Sequence, residues 1–165
     1  MNAPKTPNHA ERCRALTRDA RVGTLSTIAR DPAGYPFGSL VTVAFDRAGR
    51  PLLLLSRLAE HTQNLIHRSD ASLLVTEALD PKATAEALTL GRATILGPCR
   101  AVADAERAEV GATFLAAHPD AARYAEFADF AFYRLEPVAL RYVGGFGQMS
   151  WVSPDDYARA GFAQG

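Results

Sequence analysis

Four consecutive leucines, Leu52 to Leu55, follow Pro51 and stop without transition at Ser56 and Arg57. A strand that is apolar at every position has no face to offer to water, so both of its faces belong inside. The residues that follow, up to Leu65, read as a short helix carrying His61, Thr62 and Asn64. A strand that ends in a cation and opens a helix leaves backbone N–H groups without helical partners. The helix N-terminus adds partial positive charge at the same spot. Ser56 and Thr62 can donate hydroxyl hydrogen bonds, Arg57 can pair bidentately with an oxyanion, and His61 can donate as well. Together they form a candidate phosphate site without a glycine-rich loop. A buried strand, a turn and a surface helix with ordinary polar residues would read the same way.

The rest of the chain supplies strands for that one to pair with. Val22–Ile28 is rich in β-branched residues, and Phe37–Phe45 alternates with Ser39, Val41, Val43 and Phe45 on one face. Asp31 to Gly34 and Asp46 to Gly49 are turns, the second closing a hairpin onto the leucine strand. Further strands are expected at Ser72–Thr76, from Leu88 to Leu96 with a continuation to Val102, at Phe130–Leu135 and at Val138–Val143. Gly91 and Gly97-Pro98 suggest bends such as barrel corners need. Helices are expected over His9–Ala20, from an Asp104 cap to Ala117, over Asp120–Phe127, and after Ser153-Pro154. Residues 78–86 read as a loop, and Gly144 to Gly147 interrupt regularity. Six or seven strands joined mostly by hairpin-length links, with helices inserted rather than alternating, predict an α+β fold. It is mainly β with flanking helices, an antiparallel sheet closed into a split barrel.

A length of 165 residues suits one domain, here 9–160 between a disordered N-terminal tail (1–8) and a C-terminal tail (161–165). The balance of 18 basic and 18 acidic side chains argues against a non-specific nucleic-acid binder. No segment approaches the roughly 18 apolar residues of a membrane helix, and the first residues hold no secretory core, so a cytoplasmic protein is expected. Cys13 and Cys99 stand far apart, which predicts two buried thiols and no metal site. His9, His67 and His118 have no evident companions. No catalytic acid or base stands out.

The segments GSLVTVAFD (Gly38–Asp46), PLLLLSRLAEHTQNL (Pro51–Leu65), ASLLV (Ala71–Val75), LGRATILG (Leu90–Gly97) and GGFGQMSW (Gly144–Trp151) together resemble a known family. It is that of the FMN-binding split barrels related to pyridoxamine 5′-phosphate oxidase, and within it the haem-utilisation branch is most similar. The resemblance implies FMN bound at a homodimer interface and touched by both chains. It implies that Ser56, Arg57, His61, Thr62 and Asn64 hold the phosphate and that Ser39 lines the flavin. Arg92 would approach the flavin or its phosphate, unless a carboxylate such as Glu77 holds it, and Trp151 would lie near the site. The implied function is an FMN-dependent oxidoreductase of unassigned substrate; the alternative is a flavin- or haem-binding module without oxidase turnover. The chain ends GFAQG rather than in the R-L-x-P pattern of pyridoxamine-phosphate oxidases. Its last histidine is His118, where the haem-utilisation branch carries a C-terminal histidine segment.

Overall fold

A computed structural model describes residues 8–78 and 87–160. The tails expected at 1–7 and 161–165, and residues 79–86 of the expected loop, lie outside the described residues. Asn8 belongs to the first helix rather than to a tail. Its side chain accepts from Glu11 N at 2.9 Å while Glu11 Oε2 accepts from Asn8 N at 2.7 Å, a reciprocal cap for α1 (His9–Asp19).

Among the described residues nine antiparallel strands follow, more than the six or seven expected. They are β1 (Val22–Ile28), β2 (Pro36–Thr42), β3 (Ala44–Phe45), β4 (Pro51–Ser56), β5 (Asp70–Thr76), β6 (Arg92–Ala101), β7 (Phe130–Leu135), β8 (Ala139–Val143) and β9 (Met149–Val152). The expected strand Phe37–Phe45 divides at Val43, whose N–H bonds to Arg21 O instead of a ladder partner. β9 is the strand the sequence did not announce. The helices after α1 are α2 (Glu60–His67), α3 (Arg107–Ala117) and α4 (Pro154–Ala160). Asp104 does not cap α3; it opens a 3₁₀ turn that runs into it. The helix expected over Asp120–Phe127 is a 3₁₀ segment at Pro119–Arg123. Ser153 does cap α4, accepting from Asp156 N at 3.1 Å.

Hydrogen bonding runs in the order β2-β1-β5-β6-β7-β4-β3, with β9 joined to β8 and β8 to β6. β6 organises the closure. Its first half, Arg92 to Leu96, pairs with β8, and its second half, Cys99 to Ala101, pairs with β7. One long strand thereby belongs to two sheets, which curl towards each other as a split barrel flanked by helices.

The leucine strand is buried on both faces, as its composition requires. Leu53 and Leu55 join the barrel interior with Leu25, Val43, Leu73, Val75, Ile95, Leu135 and Leu140. Leu52 and Leu54 join a second cluster with Val110 and Phe114 of α3 and Phe132 of β7. Each such side chain contributes about 1.5–3 kcal/mol by leaving water. The two cysteines are buried thiols; burial pushes both up to about 12, so they stay protonated at neutral pH. His9 and His118 are not the isolated residues their sequence surroundings suggested. His9 Nδ1 lies 2.8 Å from Ser150 Oγ, and His118 Nε2 lies 2.9 Å from Val43 O with its ring against Phe114.

Candidate functional site

The barrel does not close between β2 and β4. These strands share no ladder, and a cavity of about 340 Å³ lies in the gap. Leu40, Val41 and Thr42 form one wall and Leu54, Leu55 and Ser56 the other; Ala59 and His61 line it from the α2 side, and Tyr124 and Phe130 complete it. The chemistry at its edge follows from how β4 ends. β4 pairs with β7 up to Ser56↔Phe130, and the residues just before β7 grip the residues just after β4. Ser56 Oγ donates to Asp129 Oδ2 at 2.6 Å, Arg57 N donates to Asp129 O at 2.7 Å, and Arg57 Nη2 donates to Ala128 O at 2.7 Å. Ser56 Oγ also accepts from Leu58 N at 3.1 Å. α2 then starts after its N-cap Ala59, which offers no side-chain cap.

His61 is half-buried, and desolvation lowers its pKa below the ordinary 6.5. Desolvation thus favours the uncharged imidazole, the form that can donate or ligate but offers no charge to a phosphate. Thr62 and Asn64 are fully buried. Asn64 Oδ1 accepts from Arg30 N at 3.0 Å and Asn64 Nδ2 donates to Thr27 Oγ1 at 3.1 Å, so its carboxamide fastens α2 to β1. Thr62 Oγ1 is buried with no hydrogen-bond partner among the described residues. Ser39 is half-buried on the edge strand β2, opposite Leu25.

Two sequence candidates stand elsewhere on the barrel. Arg92 pairs with Thr76, at the end of β5 remote from α2; Asp70, next to α2, pairs with Pro98 six positions along β6. Six strand residues span about 20 Å. The Arg92 guanidinium donates to Leu88 O and Leu90 O, both at 3.3 Å, while Glu77, the alternative partner for Arg92, accepts from Gly91 N. Trp151 lies on β9, five strand steps from β2 along β1, β5, β6 and β8. At about 4.8 Å per step that is roughly 24 Å along the sheet. Its ring is exposed beneath the Arg141 guanidinium. Within one chain the structure thus brings together Ser56, Arg57 and His61 and separates them from Arg92 and Trp151. Asp129 is the site residue that sequence reading missed. Nothing in its local sequence marks it, since it meets Ser56 across 73 positions.

The fold and this open seam define a split β-barrel of the class that includes small-molecule-binding proteins. More particularly, the chain belongs to the CREG β-barrel family, whose model matches residues 4–159. It is 39% identical over 135 residues to the chloroplastic non-canonical heme oxygenase HOZ of Arabidopsis thaliana, covering 82% of this chain and 40% of that protein. It is similar in structure to a heme-binding protein from Mycobacterium smegmatis, with a TM-score of 0.85 and 32% identity over 94% of this chain and 62% of that one. The chain thus spans less than two thirds of either relative. A protein of the pyridoxinephosphate oxidase family from Clostridium acetobutylicum shares the fold, with a TM-score of 0.66 at 10% identity over 92% of this chain and 99% of that one. No helix among the described residues is long and apolar enough to cross a membrane.

Proposed function

We propose that this chain binds haem, or a closely similar planar macrocycle, at the mouth of the β2–β4 split, with His61 as the ligand to iron. The observation that carries the reading is a half-buried imidazole on the wall of an apolar cavity, where desolvation lowers its pKa. Unprotonated imidazole is the metal-ligating form of histidine. Around it, Leu40 and Leu58 are 80% and 85% exposed and Phe127 is 57% exposed, apolar surface that a flat ligand would cover. The haem-related relatives support the same ligand class.

Hemin titrated into the purified chain is expected to give a Soret band that saturates at one haem per chain. His61→Ala should shift that band and weaken binding at least about ten-fold, the loss of one metal–ligand interaction. An unchanged spectrum in the variant would place the iron ligand elsewhere, and no hemin uptake by the unaltered chain would end the reading.

FMN-dependent oxidoreduction is the second reading, favoured by the Ser56–Arg57 strand end. It fits less well. In this fold the Ser56 hydroxyl donates to Asp129, the Arg57 guanidinium is turned to a backbone carbonyl, and His61 is uncharged.

A homodimer belongs to the same proposal. Thr24 pairs with Leu40 and Leu74, Leu74 with Thr94, Thr94 with Arg141, and Arg141 with Trp151, forming one row on the outer face of the sheet. Val22, Leu40, Met149 and Trp151 are each at least half exposed there. Arg92 shares this face, so a second copy seated on it would bring Arg92 and Trp151 towards the partner's split. Light scattering is expected to give twice the chain mass at micromolar concentration, and Leu40→Glu to shift it towards the monomer.

A further inference from the structure

The segment that walls the split with Tyr124 and Phe130 also delivers a carboxylate to the strand end. Three hydrogen bonds hold it there: Ser56 Oγ to Asp129 Oδ2, Arg57 N to Asp129 O, and Arg57 Nη2 to Ala128 O. We propose that Asp129 is the specificity determinant of the split, a resident carboxylate that occupies the Ser56–Arg57 anion cradle and discriminates against phosphate-bearing ligands.

The side-chain donors a phosphate would use at this strand end are already turned to residues 128 and 129. Ser56 Oγ has one proton, and Asp129 takes it at 2.6 Å. The same oxygen accepts from Leu58 N, so its position is fixed from both sides. Arg57 is the nearest cation in sequence, but its guanidinium is turned to Ala128 O. A phosphate dianion entering here would have to displace those bonds and then sit beside the half-buried Asp129 carboxylate, a like charge that repels it. An uncharged ring system or an apolar macrocycle entering through Leu40, Leu54 and Phe130 meets none of this. Asp129 would therefore leave the apolar cavity usable and close only the phosphate end.

This inference rests on the split being the ligand site and says which ligands that site refuses. FMN and riboflavin are the matched probes, since they differ by the phosphate alone. Fluorescence-quenching titrations of the full chain should show no preference for FMN over riboflavin. Asp129→Asn keeps the size of the side chain and removes the charge. It should raise the FMN-to-riboflavin affinity ratio about ten-fold or more, the scale of one new charge-assisted hydrogen bond together with one repulsion removed. Asp129→Ser gives the same reading if the Asn variant proves unstable. Ser56→Ala, which breaks the 2.6 Å bond but leaves the charge, should not raise the ratio. The inference is overturned if the unaltered chain already prefers FMN ten-fold, if the ratio is unchanged in Asp129→Asn and Asp129→Ser, or if neither variant binds either flavin. Hemin uptake by the same proteins is read separately. Its absence strikes the haem reading while the flavin ratio still decides the role of Asp129.

Discussion

Gly97→Ala is expected to remove a large part of this chain's folding stability. Gly97 sits on β6 between Leu96, the last residue paired with β8, and Cys99, the first paired with β7. The turn that joins β7 to β8 must pass across β6 at this point, with Glu136 N bonded to Pro98 O and Val138 N to Leu96 O. A Cβ on Gly97 would overlap Glu136 O and stand 2.9 Å from Glu136 C. These are backbone atoms held by the two flanking hydrogen bonds, so no side chain can swing away to relieve the overlap. Relief requires moving the turn, and with it the handover of β6 from one sheet to the other. The expected cost is about 4 kcal/mol or more, the range of the most damaging single substitutions. A small domain has only about 5–15 kcal/mol in all. Far-UV circular dichroism and the urea midpoint of the soluble fraction measure the loss. Gly38→Ala is the control: its Cβ would meet Thr24 Cγ2 at 3.6 Å, an ordinary contact. It should shift stability by less than about 1 kcal/mol. Equal behaviour of the two variants would show that the crossing at Gly97 has slack.

That crossing also marks how far sequence alone could reach. Gly97-Pro98 was legible as a barrel corner because glycine and proline inside a strand pattern have few other uses. Val22–Ile28 and Phe130–Leu135 were legible to the residue, being β-branched or aromatic runs between turn signals. The unbroken leucines of β4 could only be buried on both faces, and the two clusters they join bear this out. β9 was hidden for a physical reason. It is four residues long, three of them not buried, and follows a turn whose Gly145 and Gly147 have positive φ, so no alternating burial pattern precedes it. Register is the other quantity a linear motif does not carry. Arg92 and Trp151 sit in segments that match the family pattern, yet where they stand relative to α2 depends on six strands pairing in a definite order. The contact of Asp129 with Ser56 is of the same kind, produced by the β4–β7 register and not by any local signal.

Helix facing decides the role of Asn64 on α2, and it yields an expected loss of stability rather than of affinity. His61 and Asn64 are three positions apart, which puts them on neighbouring parts of the helix surface. His61 meets the cavity, whereas Asn64 is fully buried between α2 and β1. Its oxygen satisfies the Arg30 N–H and its nitrogen bonds the Thr27 hydroxyl. In Asn64→Ala the part-buried Arg30 N–H loses its acceptor, the Thr27 hydroxyl keeps only its contact with Phe37 O, and the removed carboxamide leaves a void. A buried group left unsatisfied costs about 1–3 kcal/mol, so one part-buried amide together with the void predicts a loss of about 2–3 kcal/mol. Urea unfolding measures it directly. Because α2 carries His61, the same substitution should weaken hemin binding only in proportion to the loosened helix, and low temperature or stabilising osmolyte should restore most of it. The role that the family resemblance implies for Asn64, as a phosphate ligand, predicts the opposite pattern: a loss below about 1 kcal/mol in stability, as for an exposed polar side chain, with FMN affinity reduced and riboflavin affinity untouched. Stability and ligand preference therefore separate the two roles in one variant. Asn64 anchors the helix that presents His61 to the split, and only a stable chain that has lost its phosphate preference would return it to the ligand set.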